Sequence, residues 1–154
     1  MKLIVSYIAI TLLLCGSALA ETPAPTADLP YPIDYCLVSG EKLGGMGEPV
    51  KIDYEGREIR FCCDNCVTTF RQKPGKYLKK LDKEIIKSQS EDYPLTTCVV
   101  SGEELGKMGP PVKYIYKNQL VEFCCSGCID TFKEHPADYL NKVLTARQAS
   151  VKTE

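Results

Sequence analysis

The chain is poor in the side chain on which many hydrolytic and group-transfer enzymes depend. Its 154 residues include a single histidine, His135. One histidine leaves little from which to build a Ser-His-Asp or His-x-Glu arrangement. His135 aligns with Lys73 and directly precedes Pro136 at a predicted helix end, which favours a solvated surface position. We therefore do not expect an enzyme.

The chain also lacks an excess of charge of either sign. Lys and Arg number 19 and Asp and Glu number 20, so the formal net charge is −1 at neutral pH. No basic stripe is evident in the sequence. Proteins that bind nucleic acid concentrate positive charge on one surface. We therefore do not expect nucleic acid as a partner.

Long apolar runs are missing after the first 20 residues, and no later run approaches the ~20 residues that a transmembrane helix needs. We therefore predict no membrane span. The N-terminus itself combines Lys2, an apolar run at 3–14 and a closing Ala18-Leu19-Ala20. This order is typical of a cleavable secretory signal. We predict a signal peptide at 1–20 and export to the periplasm or the medium.

Cleavage is predicted near Ala20. Cys15 raises the alternative of a lipoprotein, but such a site normally requires a small residue directly before the cysteine. Leu14 occupies that position. A lipoprotein is therefore the less favoured interpretation.

Cysteine, in contrast, is abundant, with nine residues in the chain. Eight of them form two groups of four, and each member of the second group lies 62 positions after its counterpart. The groups are Cys36, Cys62, Cys63 and Cys66, then Cys98, Cys124, Cys125 and Cys128. Single cysteines are usually small hydrophobes of a core. Two groups of four cysteines with the same spacing instead indicate metal ligands or disulfide crosslinks.

The segments around the two groups are repeats of one another. Repeat 1 (31–82) aligns on repeat 2 (93–144) without a gap, with 25 of 52 positions identical. The polar segment 83–92 is predicted to link them, while 21–30 is predicted as a leading linker and 145–154 as a tail. A unit of ~50 residues buries little apolar surface and usually needs disulfides, a metal or a partner. The cysteines are the obvious source of that support.

Both repeats predict the same elements, a β-hairpin followed by one or two short helices, which places the chain in the α+β class. Apolar and polar residues alternate on either side of a turn at Glu55-Gly56 in repeat 1 and at Lys117-Asn118 in repeat 2. Helical spacing follows, interrupted at Pro74 and Pro136. The aromatic residues of the helices are predicted to lie in the core; they are Phe70, Tyr77, Phe132 and Tyr139.

In repeat 1 the four cysteines fall at a predicted strand–helix corner. Cys62 ends the return strand, Cys63 lies at the corner and Cys66 lies in the first helical turn, while the turn at Cys36 can close over the helix start. The helix dipole would stabilise thiolates placed there. Soft thiolates favour Zn²⁺ and Cu⁺. We predict about one such ion per repeat, with all eight cysteines as candidate ligands.

Two details bear on the number of ligands. Adjacent Cys62 and Cys63 would point apart on an extended chain, so both reach one ion only if the backbone turns between them. In addition, a common zinc knuckle is C-x2-C-G, and its second cysteine is replaced by Ser39 in repeat 1 and by Ser101 in repeat 2. A hydroxyl is a poor ligand for soft metals. The knuckle therefore offers one sulfur, and Cys63 becomes the candidate fourth ligand.

A longer pattern joins Cys-Leu-Val-Ser-Gly-Glu-Lys-Leu at 36–43, a turn at 54–57 and Phe-Cys-Cys-Asp-Asn-Cys at 61–66. Its helical members are Phe70, Pro74, Tyr77 and Leu78. Together these motifs resemble the TRASH/YHS family of small heavy-metal-binding modules. Repeat 2 carries them as well, so the resemblance covers about two-thirds of the chain.

The resemblance implies two tandem treble-clef-like modules and a role in metal trafficking, resistance or sensing. A metal-transport or metal-receiving protein would then be a possible partner. The metal cysteines that it implies are Cys36, Cys62 and Cys66, with Cys98, Cys124 and Cys128. Cys63 and Cys125 are additional to this three-cysteine pattern, and the loop between the first two cysteines is rather long for it.

Two alternatives stay open. An exported chain with eight cysteines is also a disulfide candidate, in which Cys36 could pair with Cys62 or Cys66. The C-x2-C pairs at 63–66 and 125–128 could instead carry thiol redox chemistry, because a helix start lowers a thiol pKa. The alternating βαβ pattern of thioredoxins is missing, which disfavours this second alternative.

Met46 and Met108 occupy the same position of the two repeats. A thioether could contact Cu⁺, but methionine is more often a flexible filler of apolar gaps. We therefore expect both side chains to pack beneath their glycine-rich loops.

Overall fold

A computed structural model describes residues 31–151, and both repeats consist of an antiparallel hairpin followed by two helices. The elements are β1 (Val50–Tyr54), β2 (Arg57–Phe61), α1 (Asp64–Gln72), α2 (Pro74–Ser90), β3 (Val112–Tyr116), β4 (Gln119–Phe123), α3 (Gly127–Glu134) and α4 (Pro136–Val151). The α+β class is confirmed. The predicted signal peptide and leading linker lie outside the described residues. Within 31–151, no helix combines the length and apolarity needed to cross a bilayer.

The two hairpins close with the same kind of two-residue turn. Both central residues have positive φ, 53° and 75° at Glu55 and Gly56 and 47° and 64° at Lys117 and Asn118. This is the type I′ turn, whose twist matches that of the strands it joins. The turn pairs Tyr54 with Arg57 in repeat 1, and the same register recurs in repeat 2. Asn118 replaces Gly56 without changing the turn because Asn tolerates the left-handed region.

Proline separates the two helices of each repeat. α1 ends at Gln72 and α2 begins with Pro74, a position that needs no backbone N–H donor. Pro136 begins α4 in the same way, and His135 before it is exposed, as predicted. After the break, α2 contributes Leu81 and Ile85 to the core cluster that also contains Ile59 and Phe61 of β2.

Each repeat has its own aromatic core. Phe70 and Phe132 are fully buried, and the rings of Tyr77 and Tyr139 lie with their centroids 6.1 and 6.0 Å from them. Tyr54 meets Phe70 edge-on at 5.2 Å between ring centroids. Such pairs contribute about 0.5–1.5 kcal/mol beyond the burial of their area. The predicted core role of the helical aromatics is confirmed.

The second helix of repeat 1 is longer than predicted. α2 runs to Ser90, so most of segment 83–92, which the sequence suggested as a linker, is helical. The reason is an apolar stripe that continues past Leu81, because Ile85 lies four residues on and is fully buried. The polar composition of 87–92 hid this continuation.

The end of α2 binds repeat 2. The Gln89 side chain donates from Nε2 to the Asn118 carbonyl oxygen at 3.0 Å and accepts from the Leu120 N–H at 2.8 Å. Leu120 is fully buried in the core cluster of repeat 1, with Ile115 packed against the same cluster. One face of the second hairpin therefore belongs to the core of the first repeat.

A second set of bonds joins the two hairpins directly. Asn118 donates from its side-chain amide to the Glu58 carbonyl oxygen at 2.7 Å and accepts from Arg57 Nε at 2.9 Å. Arg57 also pairs with Asp82 of α2 at 2.8 Å. The turn residue of repeat 2 is thus held by both the hairpin and the helix of repeat 1.

The expectation of no basic stripe is wrong for α2. Four lysines, all exposed, recur at helical spacing and lie within about 40° of one direction. They are Lys76, Lys80, Lys83 and Lys87. The sequence reading missed them because acidic residues elsewhere cancel their charge in the total.

Candidate metal centre

The first cysteine of each repeat is held in a tight knuckle. Its N–H bonds the Glu41 carbonyl oxygen at 2.8 Å in repeat 1, and its carbonyl oxygen accepts from Gly40 at 2.9 Å. Gly40 has φ of 80°, a conformation that is unfavourable for residues other than glycine. Cys98 makes the same two bonds, to Glu103 and Gly102. These bonds place the Cys36 and Cys98 side chains in the interior.

The chain turns sharply between the end of β2 and the start of α1. The chain bends at Cys62 and Cys63. Cys63 is the N-cap of α1, and its carbonyl oxygen accepts from the Cys66 N–H at 3.1 Å. The adjacent sulfurs of Cys62 and Cys63 converge to 3.9 Å as a result. The backbone turn required for both to reach one ion is therefore present.

Three sulfurs in each repeat form a mutual cluster. The Sγ atoms of Cys36, Cys62 and Cys66 all lie within 4.8 Å of one another, as do those of Cys98, Cys124 and Cys128. The Cys62–Cys66 and Cys124–Cys128 sulfur pairs are each 3.7 Å apart. Both triads are close enough to bind a metal ion.

The remaining cysteine of each repeat adjoins its triad. Cys63 Sγ lies 3.7 Å from Cys66 Sγ, and Cys125 Sγ lies 3.8 Å from Cys128 Sγ. Four sulfurs around Zn²⁺, each ~2.3 Å from the ion, are separated by ~3.8 Å along the edges of the tetrahedron. The separations among Cys62, Cys63 and Cys66, and those of Cys124 and Cys125 from Cys128, match that edge length. The sets of sulfurs that all lie within 4.8 Å of one another contain neither Cys63 nor Cys125.

Crosslinking would require a different arrangement. The eight cysteines of the described segment are free thiols, and their paired sulfurs lie 3.7–3.9 Å apart. A disulfide needs ~2.05 Å between sulfurs. Any crosslink would have to draw one pair together and so distort the rest of the cluster.

The serine in the knuckle supports the site from outside the sulfur set. Ser39 Oγ contacts Cys62 Sγ at 3.3 Å and accepts from the Glu41 N–H at 3.2 Å. Ser101 does the same with Cys124 at 3.3 Å. The sequence indicated only that these hydroxyls are poor metal ligands. It did not predict that they link the knuckle to the strand end.

The thiols of each cluster are electrostatically unequal. Burial raises the pKa of Cys36, but hydrogen bonds from Ser39 and from backbone groups outweigh it and lower the value to about 7. The same contributions, with Ser101 in place of Ser39, lower the pKa of Cys98 to about 6. Burial and the neighbouring thiols raise the pKa of Cys66 and of Cys128 to about 12.

The fourth cysteine is also poised toward the thiolate. A hydrogen bond from the Cys66 backbone N–H lowers the pKa of Cys63, and the Cys128 N–H does so for Cys125. These donors belong to the first helical turn, where an N–H group has no carbonyl partner four residues back in the helix. A cation at the cluster would bring the remaining thiols to the thiolate state as well.

The methionine expectation is wrong. Met46 and Met108 are 68% and 63% exposed, so neither packs beneath its loop. Each directly precedes a glycine with φ of 111°, and Gly44 and Gly106, two residues earlier, also have positive φ. All residues of 44–48 and 106–110 are exposed.

No protein-family model, curated protein or solved structure matches the chain. The chemistry of the sites therefore has to be argued from their own residues. Each is a compact cluster of soft donors at a helix start, with no histidine or carboxylate in the sulfur triad. Such a donor set suits a soft metal ion.

Proposed function

We propose that the protein binds one soft metal ion, Zn²⁺ or Cu⁺, in each repeat through four cysteine sulfurs. The observation that carries this proposal is the sulfur clustering: three sulfurs in each repeat lie within 4.8 Å of one another, and the fourth lies 3.7 Å from Cys66 Sγ or 3.8 Å from Cys128 Sγ. The ligands in repeat 1 are Cys36, Cys62, Cys63 and Cys66. Their counterparts in repeat 2 are Cys98, Cys124, Cys125 and Cys128.

The biological role proposed is metal handling in an exported compartment, in the manner of TRASH/YHS-type modules. Support comes from the repeated cysteine motif and from the N-terminal sequence, which has the features of a secretory signal. The role requires no catalysis, because holding and passing on an ion needs only the sulfurs. A metal-transport or metal-receiving protein would be the partner.

Metal loading tests the proposal directly. We expect the reduced full chain, incubated with Zn²⁺ and then freed of excess metal, to retain two ions per chain by elemental analysis. The double variant Cys36→Ser/Cys98→Ser removes a buried ligand from each site and should retain none. Cys15→Ser is the matched control, because Cys15 is not one of the eight repeated cysteines, and it should retain two. An unmodified chain that retains no zinc or copper would contradict the proposal.

Thiol counting separates this function from disulfide stapling. After chelation and denaturation, a metal protein releases all of its thiols, whereas a stapled chain shows eight fewer. The count should be made on protein purified without added reductant. Eight reactive thiols from 31–151 support metal binding, and none would favour the staple.

One observation favours thiol redox chemistry as the second candidate. Cys63 at the helix start has a lowered pKa, whereas Cys66 beside it is buried and has a raised pKa. In a C-x2-C redox pair the first cysteine is likewise the reactive thiolate and the second is the buried thiol. A redox pair does not need two further sulfurs, yet Cys36 and Cys62 crowd the same point. Exchange of the thiols with an oxidised dithiol, followed by one reversible disulfide per repeat, would support this alternative.

A further inference from the structure

The four sulfurs of each cluster differ in their access to solvent. In repeat 2, Cys98, Cys124 and Cys128 are 2%, 7% and 9% exposed, whereas Cys125 is half-buried. In repeat 1, Cys36 and Cys66 are buried and Cys63 is half-buried, along with Cys62. The cysteine at the helix start is therefore half-buried in both repeats, and in repeat 2 it is the one member of the cluster that is not buried.

The local chain keeps this sulfur reachable. The two residues that follow it are exposed in each repeat, Asp64-Asn65 in one and Ser126-Gly127 in the other. These pairs share no side-chain chemistry, so the same exposure arises from the position at the helix start rather than from one particular sequence. Cys62, the other half-buried member, differs from Cys63 in that its sulfur contacts Ser39 Oγ at 3.3 Å.

We propose that Cys63 and Cys125 are exchangeable fourth ligands, which a thiolate of a partner protein replaces in the first step of ion transfer. This inference rests on the metal-binding function proposed above. A buried triad keeps hold of the ion while one accessible sulfur is replaced. The partner is a protein that offers a cysteine at a surface able to reach the helix start.

The exchange balances without any change of oxidation state. The partner's thiol loses its proton and forms a sulfur–metal bond, and the bond between the ion and Cys125 Sγ breaks. The released Cys125 thiolate takes up the proton. The ion has four sulfur ligands before and after this step, so the step does not release it to water.

Alkylation of the zinc-loaded full chain tests the inference. Iodoacetamide reacts with accessible thiolates, and peptide mapping by mass spectrometry follows each cysteine separately. We expect Cys63 and Cys125 to be modified about ten-fold faster than Cys36 and Cys98, with zinc still bound. Equal rates at all four positions of a cluster, together with loss of zinc, would overturn the inference while leaving metal binding intact.

A pair of variants supplies an independent readout. Cys125→Ser should keep two zinc ions per chain but transfer one of them to the chelator 4-(2-pyridylazo)resorcinol about ten-fold faster, because an incoming ligand meets an open position. Cys128→Ser is the matched control, and it should keep only one ion. Equal loss of zinc in the two variants would contradict an exchangeable role. A wild-type chain that takes up no zinc would overturn the proposed function and this inference with it.

Discussion

The two repeats place matching cysteine clusters on hairpins that have different surroundings. In repeat 1 the outward pair at the turn is Asp53 and Glu58, both exposed. In repeat 2 the equivalent pair is Ile115 and Leu120, which pack into the core of repeat 1. All five residues of β4 are buried, against two of five in β2. The sulfur site tolerates this difference because it depends on the inner face and on the helix start.

The comparison teaches that the sites are repeated while the supporting surfaces are not. Substitution at outward positions has made the second hairpin depend on α2 of the first repeat. The knuckle, the strand end and the helix N-terminus are kept in both. We therefore expect changes at outward positions to alter stability unequally in the two repeats.

The largest expected effect on stability comes from substituting the outward residues of the hairpins. Leu120→Glu places a charge inside the core of repeat 1 and should lower the free energy of unfolding by about 3 kcal/mol or more. The matched variant Glu58→Leu changes an exposed position and should alter it by less than about 0.5 kcal/mol. Urea unfolding of both variants checks this. Equal effects would mean that the hairpins have equivalent surroundings.

Removal of the Gln89 side chain, which binds the second hairpin, should have the next largest effect on stability. Gln89→Ala leaves the Asn118 carbonyl and the Leu120 N–H without partners, at a cost of about 1–3 kcal/mol for each group that stays buried. Gln72→Ala, at an exposed position at the end of α1, is the control and should be nearly neutral. Thermal unfolding measures the difference. A neutral Gln89→Ala would show that these bonds contribute nothing to joining the repeats.

Exchange of the turn residues should have a smaller effect. Asn118→Gly keeps the positive φ but removes the bonds to Arg57 and Glu58, so we expect a loss of about 1–2 kcal/mol. Gly56→Asn should cost less than about 0.5 kcal/mol, because Asn tolerates the conformation and its Cβ would meet only Lys117 Cε at 3.9 Å. Chemical denaturation checks both. A larger loss for Gly56→Asn would reverse the ranking of the two turns.

The smallest expected difference is in the pH dependence of the metal-free protein. The folded pKa is about 7 for Cys36 and about 6 for Cys98, both below the ~8.5 of an unfolded thiol. A lowered folded pKa stabilises the fold above the unfolded value, and this contribution is lost as the pH falls through the folded value. Stability should therefore fall below about pH 8.5, and the contribution of Cys98 should extend about one unit lower than that of Cys36.

Urea midpoints measured between pH 5 and pH 8.5 with chelator and reductant present will separate the two contributions. Cys36→Ser should flatten the upper part of the profile, and Cys98→Ser should flatten the profile down to its lower end. Staying below pH 8.5 avoids the titration of Cys66 and Cys128, whose raised pKa acts in the opposite direction at high pH. Superimposable profiles for the two variants would contradict the difference between the knuckles.

Much of each repeat could be predicted because local rules determine it. Alternation and turn residues predicted both hairpins, proline predicted the helix breaks, and the cysteine spacing predicted which thiols meet. The convergence of Cys62 and Cys63 could not be predicted, because it depends on a bend that brings adjacent side chains to one side.

The contacts between repeats were equally hidden from the sequence. Gln89 lies in a polar stretch typical of a linker. Its contribution to joining the repeats comes from hydrogen bonds with two backbone groups about 30 residues away. The exposure of Met46 and Met108 escaped prediction for a similar reason, since an apolar residue in a loop carries no signal of what covers it. The repeated serines, Ser39 and Ser101, offered a usable signal, because a shared hydroxyl at the same offset suggests a shared contact.

The way α2 receives the second hairpin also limits how such a protein can grow by duplication. The positions of α4 that correspond to Ile85 and Gln89 hold Arg147 and Val151. Where α2 has the apolar Ile85, α4 has the partly buried guanidinium of Arg147. Burial lowers the pKa of that guanidinium. A third copy would find no equivalent platform on α4. The duplication has produced a closed pair rather than the first two members of an extendable array.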